Sequence, residues 1–148
     1  MKAFKFKLET ALNLRSFAKR KAAVAMAAAT ARRIEAIEHL DFCKNQLTKA
    51  EEFLKPERGT ALTANEMVRR QGAVSFCRER ICKASAESDK AYEEEDQCYH
   101  ALMQARQEEQ ALLKLKEKAR ETHRVEMIRQ DELAMEEFIT ARKRNVLA

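Results

Sequence analysis

Only one stretch of this chain offers it a way to turn. Its 148 residues include two glycines and one proline, and the turn-forming residues gather once, in KPERGTALTAN at 55–65. A compact globule needs many reversals, each built from clusters of Gly, Pro, Asn or Asp. With a single reversal available, the expected fold is all-α: an elongated two-helix antiparallel coiled-coil hairpin. Composition agrees, since Trp is absent, 36% of residues are charged, and Ala, Glu, Lys, Arg and Leu dominate. That is the make-up of long helices and coiled coils.

The hydrophobic repeat supports the same architecture residue by residue. Alternating steps of four and three from Leu8 reach Leu12, Arg15, Lys19, Ala22, Met26, Ala29, Arg33, Ala36, Leu40, Cys43, Leu47, Ala50 and Leu54. All but three of these positions are apolar, which makes a sustained heptad seam. Pro56 disfavours helix in the residue before it, Gly59 supplies a flexible turn, and Thr63 with Glu66 forms a capping-box pattern. Similar steps from Met67 reach Arg70, Val74, Cys77, Ile81, Ala84, Ser88, Ala91, Glu95, Cys98, Leu102, Ala105, Glu109 and Leu112, again mostly apolar. We therefore expect a single hairpin over 1–148, with helix 1 at about 3–55, a turn at about 56–64 and helix 2 at about 65–146.

If the chain folds back so that opposed residue numbers add to about 120, the two seams meet position by position. Leu47 then faces Val74, Leu40 faces Ile81, and Cys43 faces Cys77. The cysteine pair has two readings, a disulfide or two small buried hydrophobes. At 1.5 Å per residue the paired arm would be roughly 80 Å long and the second helix about 120 Å. Helix 2 would thus overhang from about residue 119. That overhang carries its own stripe of Val125, Ile128, Met135, Ile139 and Val146, interrupted by Glu132 and Arg142. A lone amphipathic helix is marginal in water, so the stripe reads as fraying tail, self-association surface or partner-binding face.

Residues that would carry chemistry are missing. The glycines stand alone, so no phosphate-binding loop exists. His39, His100 and His123 are widely separated, and the four cysteines have neither metal-ligand nor redox-pair spacing. A two-helix rod also lacks a concave pocket in which pKa values are shifted and water excluded. The expectation is a non-enzymatic protein with no catalytic residue, metal or cofactor. The apolar run AAVAMAAATA at 22–31 is too short to span a bilayer, so we expect a cytoplasmic protein without direct membrane insertion.

Charge is patterned in blocks of both signs. Lys2, Lys5, Lys7, Arg15, Lys19, Arg20 and Lys21 stand against Glu9 alone in the first 24 residues, whereas residues 87–96 hold six acids against Lys90. Such alternation breaks the continuous basic stripe that a nucleic-acid binder needs. The polar seam positions, basic on helix 1 and acidic on helix 2, oppose a parallel homodimer and favour the hairpin. Phe42 and Phe76 sit beside the seam at nearly matching heights, with Phe53 nearer the turn, and form either a protein-binding patch or a seam edge.

The opening FKFKLETALNLR, the ALTANEM leading into helix 2, the late RQDELAMEEF and the length near 150 residues resemble the FliJ/YscO family of type III export stalk proteins. The N-terminal block, with Phe4 and Phe6 followed by Leu8, is the most specific of these and leans toward the flagellar branch. The resemblance implies a central-stalk component whose terminal end enters a hexameric export ATPase and promotes its assembly. It also implies contact with the cytoplasmic domain of the membrane export gate, and with export chaperones as further partners. On that basis Phe4, Phe6, Leu8, Val125, Ile128, Met135 and Ile139 become the expected ATPase-binding residues, and Phe42 and Phe76 the gate-binding patch. The alternative is a generic cytoplasmic coiled-coil scaffold or adaptor that self-associates or binds partner helices.

Overall fold

The computed structural model describes residues 3–55 and 61–148. Regular structure among them consists of two helices, α1 (Glu9–Leu54) and α2 (Ala64–Leu147), of 46 and 84 residues. The all-α expectation of two packed helices, the second the longer, holds. The turn expected at Pro56 and Gly59 lies outside the described residues. By internal packing the chain divides into two units, one of Met1–Arg20 with Gln104–Ala148 and the other of Lys21–Met103.

Helix α2 starts where its cap dictates. The Thr63 hydroxyl accepts from the Glu66 backbone N–H at 3.3 Å, and the Thr63 N–H donates to the Glu66 carboxylate at 3.4 Å. This reciprocal box satisfies two N–H groups that the first turn leaves without partners, and such a cap stabilises a helix by about 1 kcal/mol. Helix α1 starts later than the sequence suggests. Residues 3–6 form no regular structure, with Phe4 and Phe6 half-buried and Lys5 and Lys7 exposed. The alternation of Phe and Lys has the period of a strand and not of a helix. Lysines in a first turn would also oppose the helix dipole, whereas Glu9, the actual first residue of α1, suits it.

In the unit of Lys21–Met103 the two helices run antiparallel. The buried positions are Ala29 and Cys43 from α1, and Val74, Ala84, Ser88, Ala91 and Leu102 from α2. Every one belongs to the heptad seam read from the sequence. Most are small, so each layer removes little apolar area from water, and stability accumulates over many layers rather than in one core. Arg33 and Glu95 form an ion pair across the helices, seconded by Arg32 with Glu94 at 3.7 Å. The polar interruptions of the two seams thus answer each other. This pairing raises the Arg33 pKa further above its usual value, with the Glu95 hydrogen bond as the main cause.

The register differs from the expected fold-back about 120. That register would set Glu95 opposite residue 25 and Arg78 opposite residue 42. Instead Glu95 meets Arg33, and Arg78 meets Glu51 at 3.7 Å. All of residues 64–69 are consequently exposed, and the first inward residue, Arg70, donates to the Phe53 carbonyl at 2.5 Å. A slide of about one heptad keeps apolar opposite apolar, so the seam pattern alone tolerates it; the ion pairs do not. Cys43 and Cys77 therefore do not face each other, and both are free thiols.

In the unit of Met1–Arg20 with Gln104–Ala148, residues 3–19 pack antiparallel on α2. Leu12 and Glu109 are buried there. Inward positions on α2 continue through Leu112, Lys116, Ala119, His123 and Met127, after which every residue is exposed. The seam runs on from Leu112 to His123 without a break, since the stem of Lys116 fills a seam position while its ammonium bonds Glu9 at 2.8 Å.

Candidate functional site

Two surfaces gather the residues singled out in the sequence. The first is where the N-terminal segment before α1 lies on α2. Phe4 meets the His123 ring at 5.5 Å between centroids with a 60° tilt. A shallow hollow here is lined by Phe4, Phe6 and Leu8 from the segment and by His123, Glu126 and Met127 from the helix. His123 and Met127 were absent from the residues expected here. Continuing the four-three steps past Leu112 reaches Lys116, Ala119 and His123, and Met127 follows one helical turn later. Val125 is on another face of the helix and remains 55% exposed.

Electrostatics secure the segment. Glu109, only 8% exposed, accepts from Lys19 at 2.5 Å and from the Ser16 hydroxyl at 2.9 Å. The Lys19 contact first, then Ser16, holds its carboxyl below the usual carboxylate range. Arg15 pairs with Glu108 at 2.6 Å and Lys116 with Glu9 at 2.8 Å. Glu121 is likewise held below its usual pKa, chiefly by the two-point hydrogen bond from Arg124 at 3.0 and 2.7 Å.

The second surface is the helix beyond Met127. Ile128, Leu133, Met135, Phe138, Ile139, Val146 and Leu147 are all about half exposed or more. Phe138, Ile139, Arg142 and Val146 rim a shallow hollow near its end. Ile128, Met135, Phe138, Ile139 and Val146 share one face of this uncovered helix and form a patch of the kind that marks a protein-binding site. The N-terminal aromatics and this stripe therefore belong to one unit but occupy different faces. Phe4 and Phe6 are half-buried against α2, while Ile128, Met135 and Ile139 are free.

In the other unit, Phe42 and Phe76 are both exposed, at 51% and 60%. The observed register separates their heights. Because Glu51 pairs with Arg78, Phe76 lies nearer the level of Phe53 than of Phe42, a gap of roughly 15 Å at 1.5 Å per residue. The Arg80 guanidinium stands 5.8 Å from the Phe76 ring, and Arg70 covers Phe53 at 4.2 Å. The two phenylalanines are thus separate exposed points and not one cluster.

Among the described residues no group of three His, Cys, Asp or Glu side chains is placed to hold a metal ion. No helix among them is long and apolar enough to cross a membrane. Comparison with curated proteins and with solved structures gave no match. A family model described as the flagellar FliJ protein matches residues 4–145. That span takes in the N-terminal segment, both helices and nearly all of the exposed stripe, so the chain belongs to the flagellar FliJ protein family, a family of flagellar export components.

Proposed function

We propose that this protein is a non-enzymatic central-stalk component of flagellar type III export. It inserts the free end of α2 into the pore of the hexameric export ATPase, promoting ring assembly and turnover, and links the ring to the export gate. The reading is supported most by the uncovered apolar face of residues 128–147 in a chain of this family. Ile128, Met135 and Ile139 supply the contact, with Val125 at its border. Phe4, Phe6 and Leu8 contribute by holding the base of that helix. Phe42 and Phe76 serve as two gate-contact points along the other unit, and export chaperones are further partners. The protein works in the cytoplasm beside the inner-membrane export apparatus, and its contribution is assembly rather than chemistry.

The test is ATP turnover and oligomer size of the export ATPase from the same cell, with and without this protein. Faster turnover with a shift toward hexamer is expected. Replacing Ile128 and Met135 with Asp should abolish both effects while leaving helicity intact. An ATPase indifferent to the wild-type chain would defeat the stalk reading and leave a coiled-coil adaptor in its place. Phe42→Ala and Phe76→Ala should weaken binding to the cytoplasmic domain of the gate without changing turnover.

A further inference from the structure

The free end of α2 has a pattern that its role as a partner-binding face does not require. Steps of four and three through the exposed stripe give Ile128, Glu132, Met135, Ile139, Arg142 and Val146. Read backwards, the same series matches itself about residue 137. Ile128 falls opposite Val146, Glu132 opposite Arg142, and Met135 opposite Ile139. Each apolar residue meets an apolar residue, and the two charges that interrupt the stripe meet each other. In antiparallel coiled coils the layers pair the first core position of one heptad with the second of the partner. All six layers here do so.

We infer that this face pairs with a second copy of itself, as an antiparallel two-fold dimer centred near Glu137. A two-fold interface must be self-complementary, and this stripe is. A parallel dimer is opposed, because it would stack Glu132 on Glu132 and Arg142 on Arg142. Phe138, 67% exposed, lies beside the axis, where the rings of the two copies meet and widen the apolar strip. The acids Asp131 and Glu132 and the bases Arg142, Lys143 and Arg144 lie at opposite ends of the segment, so each end meets its complement. Two edge contacts run the other way, since Glu136 faces its own mate and Arg129 faces Lys143. Both are solvent-exposed, where ion pairs contribute little in either direction. They limit the strength of a dimer only six layers long. The inference does not depend on the ATPase reading. If both hold, the dimer hides the face that the ATPase needs, and the two partners compete.

Sedimentation equilibrium on the full chain, without any ATPase, tests this. The wild type should shift from monomer toward dimer as concentration rises. Glu132→Arg or Arg142→Glu alone should weaken association at least about tenfold, a change of about 1.4 kcal/mol. An equimolar mixture of those two single variants should associate as wild type does, because each then supplies the charge the other needs. The double variant Glu132→Arg/Arg142→Glu should also recover. A wild-type chain that stays monomeric at every concentration overturns the inference. So does self-association that ignores the single swaps, or losses that neither the mixture nor the double variant restores.

Discussion

Residues 104–127 and 128–147 of α2 are continuous, belong to one unit, and carry similar apolar stripes at heptad-like steps. The first stretch is covered by residues 3–19 and contributes Glu109 to the interior. The second is covered by nothing among the described residues. The difference teaches that an apolar stripe shows that a helix wants a partner, and only the length of the opposing segment decides whether the chain provides one. A helix of about twenty residues without tertiary packing is marginal in water. The uncovered stretch is therefore held mainly by continuity with the covered one.

The largest expected contrast is in amide hydrogen exchange. Amides of residues 128–147 should exchange on the order of a hundredfold faster than those of 104–116, since local opening ranges from nearly free to the global limit. Equal protection in a dilute monomer would erase the distinction between the two stretches. Next comes a pair of truncations. Leu12→Ala, at a buried seam position, should cost about 2–3 kcal/mol in denaturant unfolding. Ile139→Ala in the monomer should stay within about 0.5 kcal/mol, as surface changes usually do.

A smaller effect should move the boundary itself. Phe4→Ala removes the ring packed on His123, so fast exchange should spread back from residue 128 toward Ala119. Protection that ends at Met127 as before would mean that the segment does not define where cover stops. The smallest is a pH effect on the covered stretch. The folded pKa of Glu109 lies below its ordinary 4.5. Its contribution is therefore complete above that value and is lost as pH falls through the depressed one. Thermal unfolding should move to lower temperature on acidification below pH 4.5, and Glu109→Gln should flatten that dependence. A profile identical in the two proteins would remove Glu109 from the account.

Much of the candidate surface is legible in the sequence. The stripe of Ile128, Met135 and Ile139 could be read from spacing, and its exposure follows from helix 2 being longer than helix 1. His123 and Met127 were hidden because Lys116 breaks the apolar pattern just before them. A lysine at a seam position looks like an interruption, yet its stem packs inward while its charge reaches Glu9. The N-terminal segment suggests helix because leucines follow it closely, yet α1 starts only at Glu9. Its Phe-Lys alternation was the available signal. Phe42 and Phe76 looked adjacent only because their heights were inferred from an assumed register.

The sequence by itself determined two helices, one reversal, the seam positions and the start of α2. These rest on local physics: the rarity of Gly and Pro, the four-three repeat, and the Thr63–Glu66 cap. Only the tertiary structure decided the register, and with it where cover ends on α2. Small seam residues such as Ala29, Ala84 and Ala91 are nearly interchangeable, so sliding the helices by about a heptad costs little in apolar burial. The choice falls to long-range pairs, Arg33 with Glu95, Lys19 with Glu109 and Glu9 with Lys116. Their partners stand more than sixty residues apart, and no local pattern couples them.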